Sequence, residues 1–199
     1  LYTEEERDLR KSGEKQFDYV DPRNREVQLE MESVCTEHLG RIGALISEDE
    51  VCDVSFAHET FDCEASVIIP VRNRVRTIED AVRSALSQKA DFKYNVLVVD
   101  NHSTDGTREI VECISAQDDR CSLIVPERDD LGIGGCWDLA VSDVRCGRFA
   151  VQLDSDDLYS GEDTLQRIVN KFYEDKCAMV IGSYRMCNFD LETLPPGLI

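Results

Sequence analysis

Residues 66–70 read Ser66-Val67-Ile68-Ile69-Pro70, a short, continuous apolar run closed by a residue that disrupts strand pairing. A run without polar alternation predicts a strand buried on both faces. Thr77-Ile78-Glu79-Asp80 then starts a helix, with Thr77 as its N-cap and Ile78, Ala81, Val82, Ala85 and Leu86 facing inward. The alternation repeats downstream. Strands are predicted at Tyr94–Val99, Ser122–Val125, Phe149–Leu153 and Ala178–Ile181. Between them lie a helix carrying Ile110, Val111 and Ile114, one with Trp137, Leu139, Ala140 and Val141, and one over Asp163–Tyr173. This pattern predicts an α/β fold, a mostly parallel sheet with helices on both faces. Ligands of such sheets bind outside the carboxyl ends of the strands.

Three polar clusters follow predicted strand ends and therefore share one edge. They are Pro70-Val71-Arg72-Asn73-Arg74, Asp100-Asn101-His102-Ser103-Thr104-Asp105-Gly106 and Asp154-Ser155-Asp156-Asp157. The last places three carboxylates within four residues. Like charges about 4 Å apart repel by roughly 4 kcal/mol at an effective dielectric near 20. A hard divalent cation with oxygen ligands offsets such repulsion, which points to metal and to a phosphate-bearing substrate.

The 199-residue chain carries a net charge of −19 and is 42% hydrophobic. That acidity argues against nucleic acid and anionic lipid as partners. No apolar run is long enough to span a bilayer. The chain starts at Leu1 without a signal-peptide pattern, and a piece of a longer protein is expected. Nine cysteines, an odd number with no Cys-x-x-Cys pair, point to a reducing compartment rather than to disulfides or zinc. Residues 1–62 alone carry a net charge of −10 and read as an acidic, partly helical extension. Leu1–Tyr19 is weakly patterned, and Asp21-Pro22 signals a turn or helix start. Val27, Met31, Val34, Cys35, Leu39, Ile42, Leu45 and Ile46 then recur at steps of three and four. They predict an amphipathic helix packed on the following domain, with an oligomer contact or linker role as the alternative.

The three clusters, in this order and spacing, resemble glycosyltransferase family 2, with the GT-A fold. The likeness covers about residues 65–183, within a nucleotide-sugar-binding domain at 63–199. It implies a hexosyltransferase-like enzyme of polysaccharide biosynthesis. Such an enzyme moves a sugar from a nucleoside diphosphate sugar, with UDP the best guess, to an acceptor hydroxyl with inversion. It implies a Mn²⁺ or Mg²⁺ cofactor, a saccharide or lipid-linked acceptor, and a cytoplasmic location, at a membrane face through parts outside this chain. Carried over residue by residue, Pro70, Val71, Arg72 and Asn73 would line the nucleotide. Asp100 would accept a hydrogen bond from the base, and Asp154 would face ribose or metal. Asp156 would ligate the metal of a DXD motif. A carboxylate suits both an imide N–H and a hard cation.

Two departures stand out. Where the family often continues Ala-Arg-Asn, this chain has Cys136-Trp137-Asp138, which leaves that helix without its cation. The family's carboxylate base lies well downstream of the Asp-x-Asp, and this chain ends at Ile199. The acceptor-binding half is expected to be absent, so no catalytic base is assigned.

Plainer roles stand beside these. Asp157 caps the next element or joins the metal site; Arg72 and Arg74 contact phosphate or solvate the rim. Asp105-Gly106 reads as a turn and helix start, His102 as an exposed loop residue, and Trp137 as core. Gly132, Gly134 and Gly135 read as close backbone passage rather than a phosphate cradle. A haloacid dehalogenase-type phosphatase also carries Asp-x-Asp after a strand, but wants Thr or Val where Leu158 stands. A calcium loop likewise fails at Leu158, which cannot ligate. A nucleotide-sugar-binding module without turnover is the alternative from another class.

Overall fold

The computed structural model describes residues 25–56 and 60–198, so the readings at Leu1–Tyr19 and Asp21-Pro22 lie outside the described residues. The described chain falls into two compact units, one of residues 53–180 and one of residues 25–52 with 181–198. The α/β strands and helices lie within the unit of residues 53–180, which contains the start of the domain expected from residue 63.

In the smaller unit, α1 spans Arg25–Ile42. The predicted stripe is helical from Val27 to Ile42, while Leu45 and Ile46 lie beyond the helix end; no residue of the helix is buried, and Val34 is 60% exposed. One 3₁₀ turn follows at Glu48–Glu50, where the Glu50 carboxylate accepts both the Ser47 N–H and the Ser47 hydroxyl at 2.8 Å.

The larger unit holds β1 (Ala65–Val71), α2 (Ile78–Leu86), β2 (Tyr94–Asp100), α3 (Thr107–Ser115), β3 (Cys121–Ile124), α4 (Ile133–Val141), β4 (Phe149–Gln152) and α5 (Thr164–Asp175). The strands form one parallel sheet in the order β3-β2-β1-β4. All seven residues of β1 are buried, as its unbroken apolar run predicts. Successive residues go to opposite faces. Val67, Ile69, Val96 and Val98 pack with α2, α3 and α5 through Val82, Val111 and Val169. Ile68, Leu97 and Val99 pack with α4 through Cys136 and Ala140, with Trp137 partly buried beside them.

Several local readings change. Pro70 does not end β1, which runs on to Val71. Leu153 N–H bonds to Ile68 O, and Asn101 N–H bonds to Val71 O. Residue 70 therefore turns its missing N–H toward β4, and the β1–β4 pairing stops at Ile68 and Gln152 while the pairing with β2 runs on to Val71. Thr77 stands at the start of α2, but its hydroxyl is buried without a hydrogen-bond partner and caps nothing. Ala178–Ile181 is not a strand; Met179 and Ile181 are 71% and 82% exposed. The later strands, β5 (Arg185–Cys187) and β6 (Thr193–Leu198), pair with each other in antiparallel fashion.

Two glycines are required by geometry. Gly106, before α3, has φ 100°, a region that side chains avoid. At Gly147 an added Cβ would lie 2.9 Å from both Cys63 O and Ala65 C, so the chain entering β4 passes against the backbone beside β1. No helix among the described residues is long and apolar enough to cross a membrane.

Candidate nucleotide-sugar site at the sheet edge

The loops after β1, β2 and β4 meet at the carboxyl edge of the sheet, around a cavity of about 330 Å³. The end of β1 and the loop after it contribute Pro70, Val71, Arg72 and Arg74; the second loop, Asn101; the third, Asp154, Ser155 and Asp156. The beginning of α4 closes one wall with Ile133 and Cys136. A helix start favours negative charge through its free N–H groups. Burial raises the pKa of the Cys136 thiol, and the Asp100 charge adds to the rise.

Strand parity separates Asp100 from Asn101 at this cavity. Residues 68, 97 and 99 face α4, so by alternation 70, 72 and 101 do too. Asp100 has the opposite parity and lies under α3. Its side chain is fully buried. One carboxylate oxygen accepts the Arg108 Nε–H at 2.7 Å, and the other accepts the Ser103 N–H at 3.1 Å. Asp100 is therefore committed to holding its own loop, contrary to the expectation that it meets the base. Asn101 takes the wall position instead. Its Nδ2 donates to Leu131 O, and its Oδ1 is buried without a partner. Since a carbonyl only accepts, the bond to Leu131 fixes which amide atom is left unpaired. Period-two alternation along β2 was the sequence signal that distinguishes residue 100 from residue 101.

Of the other expected residues, Pro70, Val71, Arg72, Asp154 and Asp156 line the cavity, and Asn73 does not. Asn73 adopts φ 54° and laces the first two loops together. Its N–H donates to Ser103 Oγ at 2.9 Å, and its Oδ1 accepts the Thr104 N–H at 2.8 Å. Arg74 N–H donates to Thr107 Oγ1 at 2.8 Å, and Val75 N–H to Asp105 Oδ2 at 3.1 Å. Asp105 also accepts from the Thr107 hydroxyl at 2.6 Å, and this bond first of all holds its carboxyl below the usual value. His102 is half-buried with φ 58°, and its Nε2 lies 3.1 Å from Arg128 O.

The third loop gathers the acidic charge. Asp154 Oδ1 accepts from Gln152 Nε2 at 3.0 Å. Asp156 Oδ2 lies 3.7 Å from Arg74 Nε. Lost solvation raises the pKa of Asp157, and the charges of Asp154 and Asp156 raise it further. No group of three or more His, Cys, Asp or Glu side chains among the described residues is placed to hold a metal by itself. Two rim carboxylates instead fit a hard cation that completes its shell with phosphate oxygens and water, the usual arrangement for Mg²⁺.

The family model described as "Glycosyl transferase family 2" matches residues 66–198. TuaG of Bacillus subtilis, a glycosyltransferase whose name assigns it to teichuronic acid biosynthesis, is 32% identical over 121 residues. That match takes in 61% of this chain and 46% of TuaG. The GalNAc(5)-diNAcBac-PP-undecaprenol beta-1,3-glucosyltransferase of Campylobacter jejuni is 34% identical over 111 residues, 54% of this chain and 35% of that protein. Among solved structures, Staphylococcus aureus TarS 1–349 aligns at 30% identity and a TM-score of 0.48, over 56% of this chain and 32% of that one. The chain spans less than half the length of these relatives. With two thirds of its residues matched by the family model, the chain belongs to glycosyltransferase family 2.

Proposed function

We propose that this chain forms the donor-binding part of a glycosyltransferase that moves a sugar from a nucleoside diphosphate sugar, a UDP-sugar in the first instance, to an acceptor hydroxyl. The observation that carries this reading is the single cavity shared by the loops after β1, β2 and β4, with two cations on one loop and two carboxylates on another. Cations and carboxylates on facing loops suit a diphosphate and its counterion. Pro70, Val71 and Arg72 bound the nucleotide, and Asn101 supplies a neutral acceptor near the base. Asp154 and Asp156 would hold Mn²⁺ or Mg²⁺. Bound there, the cation would offset the charge of the diphosphate, including the charge that develops as it leaves. The acceptor hydroxyl oxygen forms its bond to the anomeric carbon as the bond to the diphosphate breaks, with inversion, and the hydroxyl proton passes to a base for which no residue of this chain is proposed. The Campylobacter relative's name, with its undecaprenol diphosphate, supports a lipid-linked saccharide as acceptor. The cysteine usage supports a reducing, cytoplasmic location, and a lipid-linked acceptor would put the enzyme at a membrane face.

The test is calorimetry of UDP with and without Mn²⁺. Asp156→Ala is expected to lower UDP affinity in Mn²⁺ by about tenfold or more, the scale of one lost charged interaction. Its melting temperature should hold, because Asp156 is exposed. Unchanged affinity would remove Asp156 from the site.

A further inference from the structure

Arg74 and Asp156 stand together on the cavity rim, Nε to Oδ2 3.7 Å. The distance exceeds that of a hydrogen bond, and the side chains are 48% and 39% exposed, so the pair is loose. Arg74 makes one further side-chain contact, Nη1 to the carbonyl of Asn73 at 3.2 Å. Its backbone is fixed, by contrast, through the Thr107 hydroxyl. A guanidinium on an anchored Cα, held only lightly at its head, can change partners without moving the loop. Its planar fork of donors matches phosphate oxygens. Asp156 makes no hydrogen bond among the described residues, so Arg74 is its counter-charge. The first turns of α4 carry Cys136, Trp137 and Asp138 and offer a diphosphate no cation.

We propose that Arg74 is a built-in counterion for Asp156, which a divalent cation displaces, and that the displaced guanidinium then binds the diphosphate of the nucleotide. The inference rests on the nucleotide diphosphate reading of the site. It couples two binding events. The metal competes with Arg74 for Asp156, and the nucleotide gives Arg74 a new partner, so each ligand favours the other.

The signature is a pair of effects with opposite signs. Mn²⁺ alone is titrated by electron paramagnetic resonance, and UDP at saturating Mn²⁺ by calorimetry, on the wild-type chain, Arg74→Gln and Arg74→Lys. Arg74→Gln should bind Mn²⁺ alone about two- to five-fold tighter, the scale of one exposed ion pair removed. It should bind UDP in Mn²⁺ about tenfold more weakly, the scale of a charged hydrogen bond. Arg74→Lys should fall between wild type and Arg74→Gln for UDP, and uridine should bind both variants as it binds wild type. Unchanged or weaker Mn²⁺ binding by Arg74→Gln, unchanged UDP binding, or an equal loss for uridine would each overturn the proposal. Failure of wild type to bind UDP in Mn²⁺ would overturn the nucleotide reading itself, and this inference with it.

Discussion

Truncating Arg108 should expose how much the second loop depends on one buried charge. Asp100 has no solvent-accessible side-chain surface, and Arg108 Nε at 2.7 Å is its only cationic partner among the described residues. In Arg108→Ala the carboxylate keeps one neutral bond, from Ser103 N–H at 3.1 Å. Removing one partner of a buried pair costs about 3–5 kcal/mol. The Arg108 side chain is 32% exposed, so its loss opens a partial path for water and sets the expectation at the lower end, about 3 kcal/mol. For a domain of this size that is a fall in melting temperature of roughly 6–12 °C. Urea denaturation should show a lower midpoint with an unchanged slope. Asp100→Asn combined with Arg108→Ala should be more stable than Arg108→Ala alone, since a neutral amide needs no counterion. A cost below about 1 kcal/mol for Arg108→Ala, the range of exposed pairs, would refute the claim that Asp100 is held as a buried, paired carboxylate.

Two further expectations concern stability. The Tyr159 hydroxyl is buried without a hydrogen-bond partner, and burial drives its pKa up; Tyr159→Phe should therefore gain about 1 kcal/mol, and a loss in urea denaturation would reveal a partner. Asp105, Asp118 and Asp143 are each held below the ordinary 3.8, first by hydrogen bonds from the side chains of Thr107, Arg120 and Arg145 respectively. Below that value the unfolded chain binds more protons, so their stabilisation is present in full above it and is lost as pH falls through the native pKa values. The urea midpoint should therefore drop between about pH 5 and pH 2, and a flat profile over that range would contradict these assignments.

The sheet was legible because β1 and β2 are apolar at nearly every position, which only a doubly covered strand tolerates. The meeting of the Pro70, Asn101 and Asp154 regions followed from strand direction alone. What failed was anything set by a partner distant in sequence or absent from it. Asp100 and Asn101 both follow an apolar run, and only the sheet's parity and Arg108, in the first turn of α3, assign one to the interior and the other to the cavity. Ala178–Ile181 has a strand's composition, but composition specifies burial, not a neighbour to pair with. The α1 stripe was readable as a helix for the same reason that its partner was not: periodicity fixes a conformation and leaves the opposing surface unspecified.

The lacing of the first two loops gives the cavity two unlike jaws. The jaw built on β1 and β2 is closed on itself by hydrogen bonds from Asn73, Arg74, Thr104 and Val75, all accepted by side chains of the same jaw. The jaw built on β4 follows a four-residue strand, and among the described residues the long Arg74–Asp156 ion pair links its tip to the other jaw. Grip and release of a substrate would then be governed by the aspartate-bearing jaw, while the laced one serves as the anvil.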